Sequence, residues 1–535
     1  MSTTTTRRAA AIALLAGLAA AAAADAYDPS PTYYQSATST NGATLQTQLR
    51  SIVNSGTVTV SYANARYVLD DIDRDPANPA NLILTYTGVS VPGAWDAGNT
   101  WNREHTWPDS LGLGGSGSDY SDLHMLRPCN PSVNGSRGNK PFGTTSSTWD
   151  PNKYGKQYRG EMARICFYMS TRFSHLNLSV VGVPSQLVDW HYAEMPTEQD
   201  RVRNQRVFDH QRNRNPFVDH PQWVWAIYGT GPSDARITLL GGVDAGDGAT
   251  LLEIDAGAVI GSAGGDVDVS IPVRKTGSAP TSWLVTAEGD LVSPDAGRYQ
   301  KGFARGTQHA DLSATLLLGE APGLYEGRLV IDNTEITSGG AGLGAADGDD
   351  VVVVRASVLA PAIASFDPQL LDGEVVIDFG ELDLGAAPAP VVLPIHNAAE
   401  PPFAAGLDFD ALLGAGDTGA FGVSVPAFTG LPAGTAAEAI VSAAADEAGS
   451  FEAVYTLFLS DEDLPGAGEH TLTIVARAAV FCAADFDRSG SANVADLLGF
   501  LGAFRSGDDR ADRDGNGAVD VNDLLSFLGA FRGGC

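Results

Sequence analysis

Apolar residues recur at helical spacing in the first part of the chain and alternate with polar residues in the second. The helical period over Thr44–Ser55 and Arg159–Phe173 predicts two helices. Between residues 248 and 479, short alternating or β-branched runs are separated by clusters of Gly, Pro and Asp, which is typical of β-sandwiches. The predicted strands there include Val267–Val273, Tyr325–Ile331, Val351–Val358, Val391–Ile395 and Thr471–Ala476.

A weak internal repeat divides the β-rich region into two copies. Ile254–Gly257 precedes Ile271–Val273, and Ile377–Gly380 precedes Leu393–Ile395 in the same way, at an offset of about 122 residues. That offset is the usual size of an immunoglobulin-like domain. We therefore predict two immunoglobulin-like all-β sandwiches, and because no catalytic constellation is visible in them we expect a spacer or surface-binding role.

The N-terminus has the features of a secretory signal peptide. Arg7 and Arg8 precede the apolar stretch Ala9–Ala24, and Ala24-Asp25-Ala26 matches a cleavage site flanked by small residues. No apolar run of transmembrane length follows residue 26. We expect the mature protein to be secreted, or extracellular at the cell surface, without a transmembrane segment.

Four cysteines are distributed in two pairs along the chain. Cys129 and Cys166 lie in the first module, residues 27–232, whereas Cys482 and Cys535 lie near the C-terminus. Three pairings are possible, and the distribution favours one disulfide per module in an oxidising compartment.

Charge separates the first module from the rest of the chain. The formal net charge of the whole chain is −31. Residues 27–232 hold 17 Lys and Arg against 18 Asp and Glu, a net of −1, whereas residues 233–535 hold 14 against 45, a net of −31. The first module is therefore compatible with a polyanionic partner if its cations are clustered or a metal assists.

Two acidic loops repeat at the C-terminus, 27 residues apart. Each loop has a pattern that suits Ca²⁺: side-chain oxygens at positions 1, 3, 5, 9 and 12, Gly at position 6 and a backbone carbonyl at position 7. A Leu/Phe-rich helix is predicted directly after each loop. The predicted calcium ligands are Asp485, Asp487, Ser489, Ser491, Asn493 and Asp496 in the first loop, and Asp512, Asp514, Asn516, Ala518, Asp520 and Asp523 in the second.

These loops have Asp at position 12, and the first loop lacks a preceding helix. The C-terminal segment 480–535, called the tail below, therefore resembles tandem type I dockerin repeats. The resemblance implies a small all-α domain holding structural Ca²⁺, with a cohesin-like protein as its partner. Cys482 and Cys535 flank the two loops and would be able to close them with a disulfide.

Catalytic chemistry is concentrated in the first module, in Trp101–Ser110, Ser121–Pro128 and Ser132–Asn139. Adjacent Glu104 and His105 place a hard metal ligand beside a group that accepts protons near neutral pH. Asn134 adds an amide oxygen. Four nearby cations are able to hold a phosphate through charge-assisted bonds, and they are Arg103, Arg127, Arg137 and Lys140.

Three motifs, in this order along the chain, resemble those of the endonuclease I family of secreted nucleases. They are the pair Glu104-His105, the Asp-Leu-His-x-Leu-Arg-Pro segment at 122–128 and the Val-Asn-x-x-Arg-x-Asn segment at 133–139. The resemblance covers residues 27–232. It implies an α+β domain with a ββα-metal (His-Me finger) active site that hydrolyses DNA and RNA with little sequence preference.

The resemblance also implies roles for individual residues. His105 would be the general base that activates water, and Glu104 and Asn134 would bind a catalytic Mg²⁺. Arg127 would stabilise the charged transition state, and Arg103, Arg137 and Lys140 would bind phosphate. Met125 departs from the family pattern, which commonly has Asn at this position.

The sequence thus predicts a multidomain, metal-dependent endonuclease with nucleic acid as its partner. Its predicted parts are a signal peptide (1–26), a nuclease domain (27–232), two β-sandwich domains (248–358 and 359–479) and a dockerin-like domain (480–535). The alternative is a cell-surface adhesion or scaffold protein whose first module binds nucleic acid without cutting it. Glu104, His105 and Asn134 together favour the enzyme, because a pure binding module has no need of all three.

Overall fold

A computed structural model describes residues 26–261, 265–334 and 347–534. The predicted signal peptide, 1–26, lies almost wholly outside these residues, as does Cys535. The described chain is multidomain and mixes helices with several β-sheets. None of its described helices is both long and apolar enough to span a membrane.

Twelve α-helices occur in the described residues. Their bounds are α1 Gly42–Asn54, α2 Tyr62–Ala65, α3 Leu69–Ile72, α4 Pro131–Arg137, α5 Arg159–Arg172, α6 Leu178–Val181, α7 Pro184–Ala193, α8 Glu198–Gln211, α9 Pro216–Asp219, α10 Trp223–Tyr228, α11 Val494–Ser506 and α12 Val521–Gly533. The two helices predicted from periodicity are confirmed as α1 and α5.

The strands of the first module are few and short. They are β1 Asn81–Ile83, β2 Ser90–Pro92, β3 Asn102–His105 and β4 Leu126–Cys129. β1 pairs with β2, and β3 pairs antiparallel with β4. Only short elements occur in the Gly-rich segment 111–143, and two of these, β4 and α4, carry predicted site residues.

The rest of the chain is dominated by β-strands, and all five runs predicted there are confirmed as strands. Their bounds are β5 Arg236–Leu239, β6 Val243–Gly246, β7 Ala249–Ile260, β8 Val267–Thr276, β9 Thr281–Gly289, β10 Leu291–Val292, β11 Lys301–Phe303, β12 Gln308–Leu316, β13 Gly323–Asp332, β14 Asp350–Leu359, β15 Ala364–Ser365, β16 Glu374–Asp383, β17 Val391–Asn397, β18 Leu407–Gly416, β19 Phe421–Ser424, β20 Ala436–Ala443, β21 Gly449–Asp461 and β22 Glu469–Phe481.

These strands form four sheets. Their orders are β10-β12-β8-β5, β11-β9-β13-β14-β7-β6, β15-β17-β20-β19 and β16-β22-β21-β18. The last two share one hydrophobic core, to which Ile395 and Val441 contribute from one sheet and Leu457 and Ile474 from the other. The immunoglobulin-like assignment and the domain boundaries stay predictions.

The internal repeat has a physical basis in a shared bend. Asp255 accepts a hydrogen bond from the backbone N–H of Gly257 at 2.9 Å, and Asp378 accepts one from Gly380 at 2.8 Å. Both glycines have positive φ, at 83° and 71°, which favours Gly because it has no Cβ. The two strands β7 and β16 therefore carry the same Asp-x-Gly turn.

The chain divides into two compact units. The first comprises residues up to 254 with 268–315 and 327–354, and the second comprises 255–267, 316–326 and 355–535. Within the first unit, α5 lies at the centre of the hydrophobic core and is buried on nearly every face. Within the second, the tail has its own small core, in which the rings of Phe500 and Phe527 stack with centroids 4.0 Å apart.

The predicted disulfide of the first module is wrong. Cys129 on β4 and Cys166 on α5 are both free thiols buried in the core of the first unit. Burial raises the pKa of Cys166 to about 12, because the surroundings penalise a thiolate. Both side chains pack as small apolar groups. The Cys482–Cys535 pairing stays a prediction, since Cys535 lies beyond the described residues.

Candidate active site and acidic loops

The predicted catalytic residues come together on β3, β4 and α4. In the β3–β4 pair, His105 lies opposite Leu126 and Glu104 lies opposite Arg127. The chain leaves β4 at Cys129, and Asn130 caps α4 by accepting hydrogen bonds from the N–H groups of Ser132 and Val133. Two short strands followed by a helix thus carry every predicted active-site residue except Lys140, which follows α4.

Glu104 is buried and bound through one of its two oxygens. Its Oε1 accepts a hydrogen bond from the Tyr86 hydroxyl at 3.0 Å and lies 3.3 Å from Nε of Arg137. Burial raises the pKa of Glu104 to about 7, although Arg137 and Tyr86 oppose this shift. The described contacts leave Oε2 available, and a divalent cation there would favour the ionised carboxylate.

Asn134 is oriented by its amide nitrogen. Its Nδ2 donates to Oδ1 of Asn102 at 2.8 Å and to the carbonyl of Arg103 at 3.4 Å. Among the described residues, none hydrogen-bonds to the amide oxygen of Asn134. A carboxylate oxygen and an amide oxygen are the hard donors that Mg²⁺ prefers, so this donor set fits the cation.

His105 is held as a neutral imidazole with one free nitrogen. Its Nε2 lies 3.0 Å from the carbonyl oxygen of Tyr120, which can only accept, so Nε2 carries the proton and Nδ1 is the base. Burial lowers the pKa of His105 below its ordinary value. The ring stacks on Tyr62 at 5.1 Å and lies 4.4 Å from the ring of Tyr120. The imidazole is thus fixed in position and able to accept a proton at neutral pH.

The predicted phosphate-binding cations differ in how far other groups of the protein already bind them. Arg137 is 1% exposed and, besides contacting Glu104, donates to the carbonyls of Thr106 and Gly138. Lys140 donates to the carbonyl of Ser136. Arg103 stacks on Tyr62, with its Cζ 3.8 Å from the ring centroid, and donates to the Tyr62 carbonyl. None of the described carboxylates pairs with Arg103, which leaves its charge for an external anion.

Arg127 is neutralised by two carboxylates. Its Nε lies 3.0 Å from Oδ1 of Asp73, and its Nη1 donates to Glu161. It lines a cavity of about 340 Å³ together with Arg164 and Arg203. Its role in the transition state stays a prediction that these contacts do not by themselves explain.

His124 is buried and hydrogen-bonded within the fold. Its Nε2 lies 3.2 Å from the Asn213 carbonyl, and its backbone N–H donates to Asp122. Asp122 is fully buried and also binds Arg172 and Tyr168. This polar cluster fixes the segment between His105 and β4 inside the fold.

The groups that orient the site were missed by sequence reasoning. Tyr62 and Tyr86 lie outside the three motifs, and nothing in their local sequence distinguishes them from other tyrosines. Tyr120 directly precedes Ser121–Pro128, and Asn102 lies two residues before Glu104, so position beside a motif was the available signal for these two.

Three of the predicted acidic ligands lie close together in each C-terminal loop, and Asp520 of the second loop is not among them. In each loop, three carboxylates offer oxygens within 4.8 Å of one another, from Asp485, Asp487 and Asp496 in one and from Asp512, Asp514 and Asp523 in the other. In both loops the position-6 glycine has positive φ, and its N–H donates at 2.7 Å to the first aspartate.

A helix begins directly after each loop. Asn493 and Asp520 at position 9 are the N-caps of α11 and α12, and Asp496 and Asp523 at position 12 complete capping boxes with them. The two position-12 carboxylates are fully buried. Clustered carboxylates repel one another, so this donor set fits a divalent cation.

Known proteins match the first module. The Endonuclease I family model matches residues 41–222. The extracellular ribonuclease of Bacillus subtilis (strain 168) is 35% identical over 234 residues, which covers 38% of this chain and 81% of the relative. The extracellular ribonuclease of Bacillus amyloliquefaciens is 33% identical over 229 residues, covering 37% and 78%.

Solved structures match more weakly. A protein of unknown function from Porphyromonas gingivalis W83 covers 46% of this chain and 100% of its own, at 13% identity and a TM-score of 0.16. A TM-score this low does not establish a shared fold.

Proposed function

The chain belongs to the endonuclease I family, and we propose that it is a secreted, Mg²⁺-dependent endonuclease that hydrolyses phosphodiester bonds in DNA and RNA. The observation that carries the proposal is that Glu104 on β3 and Asn134 on α4 each keep one oxygen without a partner among the described residues. Asn134 is held with its amide oxygen free, and Glu104 has one oxygen free, next in sequence to a histidine whose base nitrogen is unprotonated. Secretion is supported by the two Bacillus relatives, which are named as extracellular.

Each group has a separate task in the proposed mechanism. Nδ1 of His105 accepts a proton from the attacking water, and the Tyr120 carbonyl stabilises the imidazolium that forms. Glu104 and Asn134 would hold Mg²⁺, which neutralises charge on the scissile phosphate when bound. Arg103 provides a cation without a carboxylate partner and can bind a non-bridging phosphate oxygen.

The metal requirement gives the first prediction. Cleavage of plasmid DNA by the full chain should need Mg²⁺ and stop in excess EDTA. Asn134→Ala should raise the Mg²⁺ concentration needed for half-maximal rate, because it removes one of few protein ligands. Ser136→Ala, an exposed change in the same helix at a position that the motif leaves unspecified, is the matched control. Undiminished cleavage in EDTA would rule out the metal-assisted mechanism.

We also propose that the acidic loops of the tail bind Ca²⁺ as a structural ion. The convergence of three carboxylates in each loop supports this assignment. The partner of the tail is proposed to be a cohesin-like protein on the dockerin resemblance alone.

A further inference from the structure

Cations and aromatic rings alternate from the candidate base across the surface of the first module. Beyond His105 and Tyr62, the guanidinium carbon of Arg103 lies 5.3 Å from the ring centroid of Trp95. The guanidinium carbon of Arg66 lies 5.9 Å from the same ring and 4.7 Å from the ring of Tyr67. We call Tyr62, Arg66, Tyr67, Trp95 and Arg103 the cation–aromatic strip.

The two arginines of the strip have no anionic partner in the part of the chain that the structure describes. Among the described residues neither Arg66 nor Arg103 contacts a carboxylate, and the Nε of each is buried without a hydrogen-bond acceptor. Other arginines in this module are bound to carboxylates, including Arg127, Arg137, Arg164, Arg172 and Arg203. The strip therefore concentrates positive charge that the fold does not neutralise, which makes it complementary to a polyanion.

The far end of the strip presents an aromatic face to solvent. Tyr67 is 60% exposed, although an aromatic ring of this size normally gains by burial. It follows the four-residue helix α2, which carries Tyr62, so both ends of the strip are positioned by the same short segment. An exposed ring backed by a guanidinium is a surface on which a nucleobase stacks.

We propose that the cation–aromatic strip binds unpaired nucleotides beside the scissile phosphate, so that single-stranded nucleic acid is the preferred substrate. This inference rests on the proposed nuclease function and names its substrate class. Bases in a duplex are stacked on their neighbours and cannot offer a face to Tyr67, whereas unpaired bases stack readily on aromatic and arginine planes. The guanidiniums of Arg66 and Arg103 would contact the phosphates that link these bases.

The test compares one labelled oligonucleotide, single-stranded or annealed to its complement, with the full chain as enzyme. Tyr67→Ala should lower kcat/KM on the single strand by about tenfold, as expected for one lost base–aromatic stack, and by a smaller factor on the duplex. Tyr67→Trp should restore the preference. Tyr154→Ala is the matched control, because Tyr154 is 41% exposed and lies beside Lys153 but belongs to another cation–aromatic pair.

A binding arm separates failure of the strip from failure of the nuclease proposal. In EDTA, fluorescence anisotropy should show Tyr67→Ala and Arg66→Gln binding the single strand more weakly than Tyr154→Ala does. Suppose that the wild type cleaves, but that Tyr67→Ala either lowers single-strand and duplex cleavage equally or behaves like Tyr154→Ala. The proposed role of the strip is then overturned, and the proposed nuclease function stands. If the wild type cleaves neither oligonucleotide, the nuclease proposal fails, and unchanged single-strand binding by Tyr67→Ala then overturns the strip as well.

Discussion

Hydrogen bonds made by Nδ2 of Asn134 and by Nε2 of His105 set the orientation of these two candidate site residues. Asn102 and the Tyr120 carbonyl each satisfy a donor, and this leaves the amide oxygen and the imidazole Nδ1 for chemistry. Residue types and spacing identified the candidate reacting groups, because the proposed chemistry restricts them. They did not predict the orienting groups, since a carbonyl or a tyrosine hydroxyl for this purpose can come from almost any segment that the fold brings near.

Buried histidines make the first unit sensitive to acid. Burial lowers the pKa of His124 to about 4, well below the value of about 6.5 expected when unfolded. The folded state therefore binds fewer protons, and its stabilisation is complete above pH 6.5 and is lost as pH falls from 6.5 to 4. The change corresponds to roughly 3 kcal/mol for this histidine.

Urea unfolding of the full chain at pH 7 and pH 4.5 measures this dependence. His124→Gln should lower stability at pH 7 but reduce the further loss at pH 4.5, because one titrating group has been removed. His309→Gln, at an exposed position, should keep the wild-type pH dependence. An unchanged pH dependence in His124→Gln would show that His124 is not buried as a neutral group.

At the scale of elements, local sequence signals were sufficient for α1, α5 and the five predicted strands of the β-rich region. α1 begins after Asn41, which caps Thr44, and buries Leu45, Leu49 and Val53 at four-residue spacing. The tail loops were also predictable, because their ligands are close in sequence and each loop runs directly into its helix. The free thiols of Cys129 and Cys166 were not, because whether two cysteines meet depends on long-range packing.

The tail elements should depend on Ca²⁺. The position-12 carboxylates are buried, and without a cation the repulsion within each cluster opposes the fold. Removing Ca²⁺ from the full chain with EGTA should raise amide exchange in α11 and α12 while leaving exchange in α5 unchanged. The second loop, with four carboxylates against three, should bind Ca²⁺ more tightly.

Single-site variants assign the effect to the loops. Asp496→Ala should abolish one of the two calcium sites in a titration. Asp508 lies between the loops and pairs with Arg510, so Asp508→Ala should leave both calcium sites intact. Equal amide exchange in the tail with and without Ca²⁺ would contradict a structural role for the ion.

At the scale of the whole molecule, the first module is packed against the strands that follow it within the first unit. Ala235 and Ala279 belong to the same hydrophobic core as the catalytic module. Arg305 pairs with Asp189 at 2.5 Å, and Gln300 donates to Gln222 at 3.1 Å. Sequence patterns gave no sign of this contact, because it joins surfaces more than 70 residues apart that carry no shared motif.

Close backbone contact makes this interface sensitive to a single methyl group. A Cβ at Gly302 on β11 would lie 2.1 Å from the carbonyl oxygen of Tyr192 on α7. Gly302→Ala should therefore lower the stability of the first unit by about 1–3 kcal/mol, the usual effect of overpacking. Gly297→Ala, where the added methyl meets open space, is the control for thermal unfolding. Equal melting temperatures for the two variants would refute tight packing at this contact.

The central claim is that His105 deprotonates water in a metal-dependent nuclease site, and the rate of plasmid cleavage by His105→Ala tests it most directly. With saturating Mg²⁺ and the full chain, His105→Ala should cleave about 10² times more slowly than the wild type, the usual contribution of a general base. His175→Ala, at a histidine that is 55% exposed in the same module, should cleave at the wild-type rate. Cleavage by His105→Ala at the wild-type rate would contradict the claim.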